Sequence, residues 1–271
     1  MSITNGGSIG VTFASASGNT LAFTPAGDIT AGTANLLIGI AADNVGTGDG
    51  DNAEISGIAD DAGGNTYAEL VEWTNGEGLA AAGSTCGLYL CRLATTLTTF
   101  NTITITFANS IADRCASLWQ INSTTALSQA AAAQKNLIDA ANGFGSAVFA
   151  DLPSLEYCFF RVGSKEANST TALTVSSGFT AITGTRSRNN AAAQLIRGEF
   201  IITTGTGATS NPAFAVSGDA SSVFVALQEG TPAGSGHPAA ARHRLMQPRG
   251  FKGSVGYQAA RQINEALRRA A

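Results

Sequence analysis

The stretch "NTITITF" at residues 101–107 alternates without a break, placing Ile103, Ile105 and Phe107 on one face of an extended chain and threonines on the other. Successive side chains of a strand point to opposite faces, so this pattern fits a half-buried strand and no helix. "NLLIGIAA" (35–42), "GLYLCRL" (87–93), "CASLWQI" (115–121), "EYCFFRV" (156–162), "GEFIITT" (198–204) and "SSVFVAL" (221–227) are short apolar runs bounded by turn formers. Their β-branched and aromatic content favours strand over helix. "DNVGTGDGDN" (43–52) and "GTGATSNP" (205–212) read as the loops between strands. One segment, "ALSQAAAAQKNLIDAAN" (126–142), is Ala-rich enough for a helix, or equally for a linker with a partial turn. The expected fold is all-β: an antiparallel β-sandwich.

The order of these elements recurs. "ANLLIGIAADN", "AEISGIADDAGGNTYAELVEW", "STCGLYLCRLATTLTTFNTITITFANS" and "ADRCASLWQINS" run in parallel with four later pieces. Those are "PSLEYCFFRVGSKE", "LTVSSGFTAITGTRS", "AAAQLIRGEFIITTGTGATSNPAFAVSG" and "ASSVFVALQEG". Each series runs from a buried strand through a glycine turn and a hairpin to a final buried strand. Identity is low, so the match is one of pattern. It predicts sandwich units over 1–125 and 126–230, or two halves of one large sandwich.

Past Gly230 the pattern stops and the charge changes sign. Residues 231–271 hold seven bases and one acid, whereas residues 1–230 hold eight bases against 18 acids. Such asymmetry points to a tail with its own partner. "GTPAGSGHPAAA" (230–241) is a Pro/Gly/Ala linker. "GSVGYQAARQINEALRRAA" (253–271) has helix logic: Ser254 as N-cap, an apolar stripe of Tyr257, Ala260, Ile263 and Leu267, and Arg268 and Arg269 in the last turn. The expected partner-binding residues are Arg242, Arg244, Arg249 and Lys252 for attraction, with Phe251, Tyr257, Ile263 and Leu267 for apolar burial. A protein with an acidic groove satisfies both features. Nucleic acid satisfies the charge alone and meets an acidic body without a basic stripe, so it is disfavoured.

Chemistry is sparse. Both histidines, His237 and His243, lie in the tail, which removes Ser-His-Asp and Cys-His arrangements from the body. Phosphate-cradling glycine fingerprints and zinc-type Cys/His spacings do not occur. Candidate carboxylate pairs are Asp60–Asp61 and Glu69–Glu72, which read better as solvated faces than as a hydrolytic centre. Asp43, Asp49, Asp51, Asn52 and Glu54 gather oxygen ligands without EF-hand order, so an acidic hairpin loop is the simpler reading than a calcium site. No cofactor and no catalytic activity are expected. Cys86 and Cys91, five apart, face opposite sides of a strand, and all four cysteines are expected to be reduced thiols, mostly buried. The start "MSITNGGSIG" lacks a signal-peptide pattern, and no apolar run approaches 18 residues, so a membrane is not an expected partner.

"DDAGGNTYAELVEW" (60–73), with "GLYLCRL", "NTITITF" and "CASLWQI" after it, resembles a β-sandwich pattern of tailed-bacteriophage virion proteins. The turn Asp61, Gly64, Asn65, Thr66, Tyr67 carries the likeness, and "SGFTAI" through "SNPAFAVSGDASSVFVALQE" repeats it. The resemblance spans roughly residues 20–230, and the tail has no parallel in it. It implies a jelly-roll-like, multi-copy structural protein of the virion, assembled in the host cytoplasm as a head decoration, minor capsid or tail component. The implied partners are capsid or tail subunits and further copies of the chain. Similar sandwiches in adhesion and sugar-binding modules leave a competing reading, a head or tail fibre module recognising a host surface glycan. An exposed Trp or Tyr on a loop would favour that reading, but Trp73 and Trp119 sit in strand contexts where core packing is the commoner role.

Overall fold

The apolar runs pair into antiparallel sheets, and the longest of them are buried on both faces. In the computed structural model the described residues are 2–43, 48–76, 83–139, 142–188 and 193–230. The first half supplies β1 (Thr4–Ala14), β2 (Gly18–Phe23), β3 (Ala34–Ala42), β4 (Ile55–Asp60), β5 (Ala68–Asn75), β6 (Ser84–Arg92), β7 (Ile103–Ile111) and β8 (Arg114–Asn122). The second half supplies β9 (Leu127–Gln129), β10 (Gln134–Ile138), β11 (Ala147–Phe149), β12 (Leu155–Glu166), β13 (Thr180–Ala181), β14 (Thr185–Arg186), β15 (Gln194–Gly205), β16 (Ala208–Ser210) and β17 (Ala220–Glu229). No helix occurs among the described residues.

The strand orders show how the recurrence works. The large first-half sheet runs β1-β8-β3-β6-β5, and the large second-half sheet runs β10-β17-β12-β15-β13, with β14 beside β15 and β9 beside β17. Position for position, β8-β3-β6-β5 corresponds to β17-β12-β15-β13, and β1 beside β8 corresponds to β10 beside β17. Each half also has a small sheet, β2-β7-β4 in the first and β11-β16 in the second.

Alternation assigns each residue to one of the interfaces. In β3, Leu36, Ile38 and Ile40 pack towards the small sheet with Ile103, Ile105 and Phe107, and Ser/Thr side chains of β7 face outward. Leu37 packs on the opposite face with Leu88, Trp119, Phe160, Val162 and Val225, a core shared by both halves. Beyond it, Phe149, Tyr157, Phe159 and Phe224 fill the far face of the second-half sheet. Hence β3 and β12 read as continuous apolar runs, as strands covered on both sides must. Residues 1–230 form one compact unit, in which the two topologically matching halves meet through their large sheets.

Among the described residues of the Ala-rich segment 126–142, the regular structure is strand. Glu229, Gln228 and Leu227 of β17 pair with β9, and Ala220 to Phe224 pair with β10. An open β17 edge would leave a row of backbone donors and acceptors unpaired, which outweighs the helix preference of alanine. The expected division at residue 125 falls in the crossover between β8 and β9. There Asn35 Nδ2 donates to Ser123 Oγ (2.8 Å) and Arg92 Nη1 to the Thr125 carbonyl (2.7 Å).

Cys86 lies in the core between the halves and Cys91 in the core under the small sheet, on opposite faces of β6. All four cysteines are free and buried, and burial pushes the thiols of Cys86 and Cys91 up to about 12. Since the thiolate is the reactive form, an aromatic disulfide reagent at pH 8 should leave native protein unmodified and titrate four thiols after denaturation. Rapid reaction of two or more native thiols would contradict this packing.

Candidate functional site

The carboxylates singled out for chemistry are held by the fold. Asp60, at the end of β4, accepts hydrogen bonds from Gly63 N (3.1 Å), Asn65 Nδ2 (2.9 Å) and Tyr67 Oη (2.6 Å). Asn65 Oδ1 in turn accepts from the amides of Ala94 and Thr95, both at 2.9 Å. Gly63 and Gly64 have φ of 73° and 84°, where a Cβ is strained, so the turn needs both glycines. The sequence motif names Asp61 with Gly64, Asn65, Thr66 and Tyr67, and the residue bonded to Asn65 and Tyr67 is its neighbour Asp60. Asp61 instead accepts from Thr102 N (2.9 Å) and Asn101 Nδ2 (3.0 Å), which hold its carboxyl below the usual range.

Glu69 and Glu72 also have separate structural partners. Glu69 accepts from Tyr89 Oη at 3.1 Å. Glu72 is 1% exposed, and its two oxygens accept the amides of Glu54 (2.7 Å) and Ile55 (2.9 Å). Burial pushes its carboxyl up to about 7 against the pull of those amides.

The acidic loop residues diverge in the same way. Asp49 Oδ1 accepts Gly76 N (3.0 Å), Asp51 Oδ1 accepts Ala53 N (3.2 Å), and Asn52 Nδ2 donates to the Gly48 carbonyl (2.7 Å). Glu54 turns inward to accept from Thr85 Oγ1, while Asp43 turns towards Gln194. Among the described residues no three His, Cys, Asp or Glu side chains converge as a metal site.

Neither tryptophan offers a bare platform. Trp119 is 7% exposed, lies tilted against Phe200 at 5.4 Å between centroids, and donates Nε1 to Asn5 Oδ1 (2.9 Å). Trp73 is half-buried with Lys135 Nζ 4.1 Å above its ring.

What the body presents outward is mostly negative charge. Four of its eight bases, Arg114, Arg161, Lys165 and Arg197, are buried, as are five acids, leaving twelve carboxylates and four cations at the surface among the described residues. Arg161, 1% exposed, donates to the carbonyls of Gly145 and Ser210 (both 2.9 Å) and to Ser222 Oγ (2.8 Å). Burial lowers its guanidinium to about 10 and the Lys165 ammonium to about 8. Sequence reasoning passed over these bases, although "EYCFFRVGSKE" carries the signal: charges embedded in an apolar strand must be buried or break it. Phe100, 91% exposed, tips a turn fixed by Asn101 Oδ1 accepting from Thr98 N (2.8 Å) and Asp28 Oδ1 accepting from Thr99 N (3.2 Å).

The expected partner-binding residues Arg242, Arg244, Arg249, Phe251, Lys252, Tyr257, Ile263 and Leu267 lie outside the described residues. Comparisons with protein-family models, with curated proteins and with solved structures give no match.

Proposed function

We propose that this chain is a non-enzymatic structural component of a tailed-bacteriophage virion, a head-decoration, minor capsid or spike protein held in place by its basic segment 231–271. The observation that carries the reading is the use of the carboxylates. Asp60, Asp61, Glu69 and Glu72 each brace a turn or strand pair, so the groups available for acid–base work are occupied in maintaining the fold. The resemblance of residues 60–73 and of the strands after them to virion sandwiches supports the particle assignment. Its acidic surface keeps such a body soluble at high copy number.

Purified particles should contain the chain in many copies, and density maps should place the body at repeated positions on head or tail. Particles that lack the chain would overturn the proposal. A groove of about 310 Å³ lined by Ser2, Thr4, Thr33, Asn122, Ser123 and Thr124 favours glycan recognition as a second reading, because hydroxyls and amides suit sugar hydroxyls. Saturable binding of the full chain to an immobilised glycan, lost on Asn122→Trp, would replace the structural reading with that one.

A further inference from the structure

The seam between the halves is apolar through its middle and polar at one end. There Asp43, directly after β3, accepts a hydrogen bond of 2.8 Å from Gln194 Nε2, at the start of β15. Gln194 Nε2 also donates to the Gly83 carbonyl (3.0 Å), and its Oε1 accepts from Ser84 Oγ (2.8 Å), which bonds Ser164 of β12. Asp43 is 8% exposed, and Gln194, Ser84 and Ser164 are fully buried. The network therefore joins β3 and β6 of the first half to β12 and β15 of the second.

Charged groups from three further places face Asp43. Asp113, between β7 and β8, is fully buried; one oxygen accepts from Ser187 Oγ (2.7 Å) and the other pairs with Arg188, which follows β14. Glu166, closing β12, accepts from Gly83 N at 3.1 Å. Arg114 lies next to Asp113 in sequence but directs its guanidinium to the carbonyls of Ala16, Thr20 and Ile111. Asp113 and Glu166 thus both act electrostatically on Asp43, Arg188 opposes them, and Asp113 already holds that guanidinium. Ionising Asp43 adds a negative charge inside a closed, low-dielectric seam, which is costly.

We propose that this end of the seam is a proton-controlled latch, in which neutral Asp43 closes the two halves on Gln194 and its ionisation beside Asp113 and Glu166 loosens them. Burial, followed by the charges of Asp113 and Glu166, lifts the carboxyl to about 7, against the Gln194 hydrogen bond and Arg188. A carboxyl raised in the folded state contributes stability that is complete below its ordinary value of 3.8 and is lost as pH rises to about 7. The latch weakens across that window and no further above it. This holds whether or not the chain belongs to a virion.

The test is hydrogen–deuterium exchange on the full chain between pH 5 and 8, corrected for the intrinsic pH dependence of exchange. The amides to follow are Asp43, bonded to the Asp113 carbonyl, and Gln194, bonded to Ser187 Oγ. Asp43→Asn retains an acceptor for Gln194 but carries no charge. Wild-type protection at these amides should fall about tenfold per pH unit up to 7 and then level off, while Asp43→Asn stays flat. A flat wild type, or a variant that follows the wild type, overturns the latch. If Asp43→Asn does not fold, a carbon-13 titration of the wild-type Asp43 carboxyl decides. A midpoint near 7 upholds the latch, and one below 5 overturns it.

Discussion

Gly39→Leu should unfold the body, and Gly39→Ala should weaken it measurably. Gly39 sits in the middle of β3 on the face turned to the second half. A Cβ there would stand 2.8 Å from Val162 Cγ1 and 3.0 Å from Ile196 Cδ1, closer than carbon atoms tolerate. Both neighbours are fully buried, so neither has space to retreat. Overpacking by a single methyl costs about 1–3 kcal/mol, which for a body of this size lowers Tm by about 2–12 °C. Leucine adds three more carbons to the same contact and exceeds what the seam absorbs. Val162→Ala in the Gly39→Ala background should recover part of the loss, because it removes the carbon that the new methyl strikes. Thermal denaturation followed by circular dichroism measures all three. A Gly39→Leu protein melting within a degree of wild type would mean that the halves do not pack face to face at β3.

That seam was not legible in the sequence, although the strands were. Alternation in "NTITITF" names its own buried face, and β7 buries Ile103, Ile105 and Phe107 as expected. In "NLLIGIAA" every position after Asn35 is apolar or glycine, so periodicity states that both faces are covered without saying by what. The glycine inside that run was the available clue, since a strand interior tolerates glycine where another chain approaches closely. Residues 126–142 misled for a different reason: alanine content reports local preference, whereas β9 and β10 form because β17 has an edge to fill. Asp43 was weighed as a possible calcium ligand with its sequence neighbours. Its partner Gln194 lies 151 positions away, a distance no local pattern spans. The recurrence of elements was readable because turn spacing survives when identity does not, and the matching strand orders are its structural form.

Removing residues 237–271 should have the largest effect on function while sparing the fold. Residues 1–230 are a compact unit with their own cores. The removed segment carries Arg242, Arg244, Arg249 and Lys252, whose charges in the proposed role would speed and orient docking and would weaken with salt. It also carries Phe251, Tyr257, Ile263 and Leu267, each able to contribute about 1.5–3 kcal/mol on burial before ordering costs. Ile263→Asp with Leu267→Asp should therefore approach the effect of the deletion, while neutralising Arg268 and Arg269 should matter less. The direct measurement is the copy number of the protein per purified particle, full length against the truncation, with the circular-dichroism spectrum of each as a fold check. The truncated protein should be soluble and β-rich yet absent from particles; truncated protein at full copy number would mean that the basic segment is no anchor.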